Sequence, residues 1–149
     1  MSKILMISPK KCNNCKTCEA VCFNSAVNVI TFEEAAISVP IMCMQCEDAA
    51  CMKVCPNGAI YRDEYDAVVV DPRKCIGCKI CISACPMGNI EYSSSLKKIM
   101  KCDLCGSDPL CAKYCPTRAI DYVDGTLSNI DKKQVIASKF KELFEEAQN

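Results

Sequence analysis

The chain has 149 residues, room for one ordinary domain or two very small ones. Half of it counts as hydrophobic, but 16 of those residues are cysteine; without them the apolar share falls to about 40%, thin for so small a chain, so something besides carbon must help hold it together. Lys+Arg and Asp+Glu balance at 18 each, which gives no reason to expect nucleic acid or an anionic membrane as partner, and the absence of His excludes His-based acid–base catalysis, His-ligated zinc or haem and a Rieske-type centre.

The first predicted element is a strand over Ile4–Ile7, an apolar run too short for a secretory signal and interrupted by Pro9 and Lys10-Lys11. No twin-Arg pair precedes it and no stretch of about 20 apolar residues comes after it, so no spanning helix and a cytoplasmic location are expected. In that compartment disulfides are rare and clustered cysteines bind metal.

The cysteines then fall into four sets: Cys12, Cys15, Cys18 and Cys22; Cys43, Cys46, Cys51 and Cys55; Cys75, Cys78, Cys81 and Cys85; Cys102, Cys105, Cys111 and Cys115. None is left over. Each set opens with C-x2-C and closes with C-x3-C, and the starts lie 31, 32 and 27 residues apart, the mark of a repeated supersecondary unit. The segment after each fourth cysteine repeats too: Cys55-Pro-Asn-Gly-Ala-Ile60, Cys85-Pro-Met-Gly-Asn-Ile90 and Cys115-Pro-Thr-Arg-Ala-Ile120, with Cys22-Phe-Asn-Ser-Ala-Val27 lacking only the proline.

Each C-x2-C needs an open loop with inward-turned amides, for which Gly77 is suited in the third copy. Each C-x3-C predicts a short helix carrying both cysteines on one face, stopped by Pro56, Pro86 and Pro116. Between the sets, strands are predicted over Val27–Phe32, Ala36–Ile41, Ala59–Arg62, Ala67–Val70, Ile90–Tyr92 and Ile120–Val123. Tyr61–Val70 reads as a β-hairpin around Asp63-Glu64-Tyr65-Asp66, and Asp124-Gly125 marks a closing turn. Asp131 to Gln134 fits a capping box, after which Ile136, Phe140, Leu143, Phe144 and Ala147 share one helical face. That helix either packs on its own chain or docks on a partner.

C-x2-C-x2-C-x3-C-P, met in full from Cys75 to Pro86, is the bacterial ferredoxin signature for a [4Fe–4S] cluster. Three thiolates on a tight loop cap three irons, and the fourth cysteine ligates the cluster of a partner motif. Clusters therefore come in pairs, and metal binding supplies folding energy. Zinc ribbons space their C-x2-C knuckles differently, a disulfide scaffold lacks a secretory context, and a [3Fe–4S] centre usually lacks one cysteine. Four [4Fe–4S] clusters is the reading. Sixteen thiolates with four dipositive cores bring the loaded chain to about −8. Lys11, Lys16, Lys53, Lys74, Lys79, Lys101 and Lys113 flank the ligands and are expected to offset that charge as a set. Met42, Met44, Met52, Met87 and Met100 read as adaptable packing rather than copper ligands.

The four motifs resemble those of the four-cluster iron–sulfur subunits of dimethyl-sulfoxide-reductase-type enzymes, formate dehydrogenases, formate-hydrogenlyase and CO-dehydrogenase-linked carriers. The resemblance runs from Cys12 to Ile120 and is most specific in Cys43 to Ile60, Cys75 to Pro86 and Lys101-Cys-Asp-Leu-Cys105. It implies an α+β fold of two bacterial 2[4Fe–4S] ferredoxin-like units, one inserted in the other, plus a C-terminal helix. The outer unit would comprise 1–35 and 91–130, the inner unit 36–90 and the helix 131–149. Carried over, cluster A takes Cys12, Cys15, Cys18 and Cys115; cluster B takes Cys102, Cys105, Cys111 and Cys22. Cluster C takes Cys43, Cys46, Cys51 and Cys85; cluster D takes Cys75, Cys78, Cys81 and Cys55. The fourth motif departs from the family in having only five residues, Gly106 to Leu110, between its two halves. A compact four-cluster chain with a short tail is similar to the small subunit of tungsten-containing aldehyde oxidoreductases.

No Gly-rich phosphate loop or acid–base pair stands out, so the chain is expected to be no enzyme itself. The resemblance implies an electron-transfer subunit relaying single electrons between a catalytic oxidoreductase (Mo/W-pterin or Ni enzyme) and a redox partner such as a ferredoxin or a flavin subunit. A free-standing soluble polyferredoxin is the alternative from another class, and iron–sulfur storage or assembly a third.

Overall fold

In the computed structural model, residues 3–124, 137–138 and 140–146 are described. The strands are β1 (Lys3–Ile7), β2 (Asn28–Phe32), β3 (Ile37–Ile41), β4 (Ile60–Arg62), β5 (Val68–Val70), β6 (Glu91–Ser93), β7 (Lys98–Met100) and β8 (Ile120–Asp124). They form four separate antiparallel ladders, β1–β8, β2–β3, β4–β5 and β6–β7. The β1–β8 ladder pairs Ile7 with Ile120 and Lys3 with Asp124, so it joins the segment before the first cysteine set to the segment after the last. The four helices are α1 (Thr17–Val21), α2 (Ala50–Lys53), α3 (Ile80–Ala84) and α4 (Leu110–Lys113). They pack in two pairs, α1 on α4 and α2 on α3.

All seven predicted strands are present. Sequence reading missed β7, because Ser93-Ser94-Ser95-Leu96-Lys97 reads as polar loop with nothing to mark a return strand. Here the serines make the turn: the Leu96 amide donates to Ser93 Oγ at 3.3 Å, and Lys97 takes a left-handed φ of 53°. The β4–β5 hairpin turns as predicted, with Asp63 Oδ1 accepting from the amides of Tyr65 and Ala67, each at 2.9 Å. Such side-chain acceptors make an aspartate turn self-sufficient.

The expectation that each short helix carries both closing cysteines needs correcting. In every copy the third cysteine is the second residue of its helix, but the fourth falls just beyond the helix end. Proline is not the reason, since α1 stops at Val21 although Phe23 stands where the other copies have proline. A tight turn stops it instead. The amides of Ser25, Gly58, Gly88 and Arg118 donate to the carbonyls of Cys22, Cys55, Cys85 and Cys115 at 3.3–3.4 Å. All four donors sit at positive φ, two as glycine and two as residues that carry some backbone strain.

Two apolar cores result. The larger holds Leu5, Ile7, Val27, Ile37, Val39, Met42 and Ile120, and the smaller Ala49, Ile60, Val68, Ile90 and Ile99. Strand β5 stands between them: Ala67 and Val69 face the larger core and Val68 the smaller, as the period of two along a strand requires. The division expected at 35/36 falls in the turn joining β2 to β3, which are paired, and Ile99 of β7, beyond residue 90, joins the smaller core. Residues 137–138 and 140–146 are helical, and this segment packs on its own chain. Leu143 is buried in the larger core, and the Phe140 and Phe144 rings meet Phe32 edge-on at 6.2 and 5.5 Å. Lys10 adds an ion pair to Glu146. The capping box at 131–134, Ile136, Ala147 and Gly125 lie outside the described residues.

Candidate metal centres

All sixteen cysteines are free thiols, and only Cys15 and Cys78 are exposed. The chain folds them into groups that cross between motifs. Cys43, Cys46 and Cys51 line one cavity together with Cys85. A second is lined by Cys75, Cys78 and Cys81 with Cys55, and a third by Cys102, Cys105 and Cys111 with Cys22. The remaining four line none of these three cavities; Cys115 lies within electrostatic reach of Cys15 and Cys18, and Cys12 within reach of Cys18. Among the described residues, no three Cys, Asp or Glu side chains close on a single-ion site. Four thiols around a cavity suit a polynuclear cluster.

The loops that present these thiols share one backbone device. The second intervening residue of each C-x2-C has positive φ: Asn14 at 59°, Gln45 at 49°, Gly77 at 71° and Leu104 at 56°. This turns amides toward sulfur. The amides of Gln45 and Leu104 donate to the Sγ atoms of Cys43 and Cys102 at 3.4 and 3.5 Å. After the fourth cysteines, the amides of Ala26, Ala59 and Asn89 donate to the Sγ atoms of Cys22, Cys55 and Cys85 at 3.2–3.3 Å. Such donors stabilise thiolate sulfur, and iron-bound sulfur equally.

The thiols divide by position. Burial pushes the third cysteines upward: Cys18 and Cys81 to about 11, Cys111 to about 12, and Cys51 in the same direction. Cys102, also buried, is raised furthest. For the fourth cysteines Cys55 and Cys115, burial also works upward. There the surrounding donors outweigh it, the amides of Ala59 and Asn57 at Cys55 and the Ile120 amide and Thr117 hydroxyl at Cys115, and both pKa values fall. Cys15 is lowered mainly by the Thr17 hydroxyl, which donates to its sulfur at 3.3 Å.

The flanking lysines do not behave as one set. Lys53 and Lys113 are exposed and paired with Asp48 and Asp108, and Lys79 lies over the Tyr92 ring at 4.1 Å. Lys101 is different: it is 4% exposed, and its ammonium donates to Cys43 Sγ at 3.1 Å, to the Val68 carbonyl and to the Cys102 carbonyl at 3.1 Å. Burial opposes its charge, but the neighbouring sulfurs of Cys43, Cys102 and Cys51 hold its pKa above the ordinary lysine value. Beside it, buried Gln45 donates to the Cys102 carbonyl at 3.1 Å and accepts the Val68 amide at 2.6 Å. Sequence reading did not single out Gln45. The methionines pack as expected, with Met42 in the larger core, Met52 against the smaller, and Met44 and Met87 lining an apolar cavity.

Three cavities each lined by four thiols, with amide donors aimed at sulfur, define an iron–sulfur protein of the multi-cluster ferredoxin kind. The chain belongs to the 4Fe-4S dicluster domain family, whose model matches residues 34–125. It is 34% identical to a subunit of the anaerobic dimethyl sulfoxide reductase of Escherichia coli K12, over 85% of this chain and 75% of the relative. It is 37% identical to the putative electron transport protein YsaA of the same organism, over 83% and 91%, and 35% identical to its electron transport protein HydN, over 83% and 89%. The cofactors are [4Fe–4S] clusters. Among the described residues no helix is long and apolar enough to cross a membrane.

Proposed function

We propose that the chain is a non-catalytic electron-transfer subunit that relays single electrons through four [4Fe–4S] clusters, between a separate catalytic oxidoreductase subunit and a second redox partner. The observation that carries this reading is that three cavities are each lined by three cysteines of one motif and a fourth from another. The ligand sets are clusters A to D as assigned above, with the first motif paired to the fourth and the second to the third. Packing of α1 on α4 and α2 on α3 supports that pairing and the inserted two-unit organisation.

When bound, each cluster takes up and gives back one electron. The chain's own residues hold it and set the field around it. Amides aimed at Cys22, Cys43, Cys55, Cys85 and Cys102 stabilise the negative charge that reduction adds. Buried Cys18, Cys81 and Cys111 exclude water from one side of sets A, D and B. Cys15 of set A and Cys78 of set D reach the surface, so these two sets are the points where partners exchange electrons.

The relatives' names support both a reductase subunit and an electron transport protein. We take the catalytic partner to be a Mo- or W-pterin or Ni enzyme, the tungsten aldehyde oxidoreductases among them, and the acceptor a ferredoxin or flavin subunit, in the cytoplasm where free thiols stay reduced. A free-standing carrier is the second reading. It draws on the names of two relatives, both electron transport proteins.

Metal analysis of the natively purified protein tests the cluster assignment. About 16 irons and 16 sulfides per chain are expected from four cubanes, and stoichiometric zinc would overturn it. Copurification with a large Mo, W or Ni protein supports the subunit reading, whereas a stable monomer at working concentration supports the free carrier.

A further inference from the structure

Lys101 occupies a place that no other cation in the described structure shares. Its three ammonium donors have three acceptors: Cys43 Sγ in the second motif, the Val68 carbonyl on β5 and the Cys102 carbonyl in the fourth motif. Its charge acts on Cys43 and Cys51 of set C and on Cys102 of set B. These two sets are the ones without an exposed cysteine; the exposed ligands belong to sets A and D.

That placement answers an electrostatic difficulty. Reducing a cluster adds a negative charge, and a buried, low-dielectric setting disfavours every uncompensated charge. Sets B and C present no fully exposed cysteine, so an electron crossing between the exposed ends meets a desolvation barrier there. A buried ammonium in contact with both sets lowers that barrier. The neighbourhood also fixes where the ammonium sits. In the β4–β5 ladder Val68 belongs to a pair that makes no hydrogen bonds across the ladder, since the Asp63 amide bonds the Ala67 carbonyl one residue away. The Val68 amide and carbonyl thus point away from β4, and Gln45 and Lys101 take one each.

We infer that Lys101 is a shared counter-cation for sets B and C, a positioning residue that raises the reduction potentials of the two clusters without an exposed ligand and links them as one electron path. The path runs from Cys43 Sγ through the ammonium to the Cys102 carbonyl and its side chain. One electron crossing it leaves the donor cluster oxidised by one and the acceptor reduced by one, while Lys101 keeps all three protons. This inference rests on the proposed ligand sets.

The test is a redox titration of the full-length holoprotein followed by electron paramagnetic resonance. Four clusters in the native protein secure the ligand reading; fewer would break that reading rather than the role of Lys101. With four present, K101Q is expected to move two of the four midpoints to more negative potential, and K101R, which keeps the charge, to bring them back. K79Q, altering an exposed lysine, is expected to cause a smaller shift. Fewer or more than two midpoints moving, or K101R reproducing the full shift, would overturn the inference. Should K101Q fail to retain its clusters, native protein grown with 15N-labelled lysine serves. Hyperfine coupling from a lysine nitrogen to a reduced cluster is expected, and its absence would overturn the proposal.

Discussion

Gly77 faces the carbonyl of Lys97 so closely that a β-carbon at residue 77 would lie 2.6 Å from that oxygen. The same β-carbon would meet the Tyr92 ring at 3.3 Å, so the tip of the β6–β7 hairpin rests directly on the third C-x2-C loop. Gly58 offers the contrast, with φ of +60° and nothing within 4 Å.

Gly77→Ala therefore combines two penalties and Gly58→Ala only one. The left-handed backbone alone costs about 1–2 kcal/mol in either variant. The collision with Lys97 falls only on Gly77→Ala and displaces the loop holding Cys75 and Cys78. Iron analysis is expected to show a near-full complement in Gly58→Ala and a loss of about one cluster in four in Gly77→Ala.

Cysteine exchange between motifs makes a distinctive prediction for Cys85→Ala. If Cys85 closes set C, its removal frees Cys43, Cys46 and Cys51 rather than its sequence neighbours Cys75, Cys78 and Cys81. Alkylation of the native holoprotein followed by peptide mass analysis reads this directly. Labelling concentrated at Cys75, Cys78 and Cys81 would contradict the pairing.

Gln45→Leu removes the acceptor for the buried Val68 amide, whereas the Cys102 carbonyl keeps its bond from Lys101. One orphaned buried donor costs about 1–3 kcal/mol. Denaturant unfolding is expected to show a loss of that size, and amide exchange at Val68 to quicken. Unchanged exchange there would count against the hydrogen bond.

Cluster uptake by the cluster-free chain is expected to speed up with pH. Iron binds the thiolate, and burial holds Cys18 and Cys81 at about 11 and Cys111 at about 12. Well below those values each is almost wholly protonated, so the thiolate fraction grows about tenfold per pH unit. Reconstitution followed by visible absorbance between pH 7 and 9 should accelerate; a rate that falls over this interval would refute the assignment of these thiols as ligands.

Much of this was legible before any coordinates. The cysteine spacing, the repeated segment after each fourth cysteine and the alternation of short apolar runs are local properties, and local rules place the seven predicted strands and the four helices. The Gly77 expectation also holds, because a C-x2-C loop needs left-handed backbone wherever it occurs. The β6–β7 hairpin was hidden because its turn is made by serine hydroxyls rather than by Gly or Asn. The fourth cysteines were misplaced because a four- or five-residue helix ends where a turn hydrogen bond claims the chain, with or without proline.

The chain by itself determined its chemistry: sixteen thiols without histidine, in sets whose spacing suits iron–sulfur clusters, on segments too thin in carbon to dispense with them. Only the tertiary structure decided which motifs share a cavity, which two cysteines reach the surface and which lysine is buried. In the sequence Lys101 is one of seven lysines beside ligands. It becomes singular because β5, the second motif and the fourth motif meet at its ammonium, and contacts between segments 33 and 58 residues apart leave no mark in local spacing.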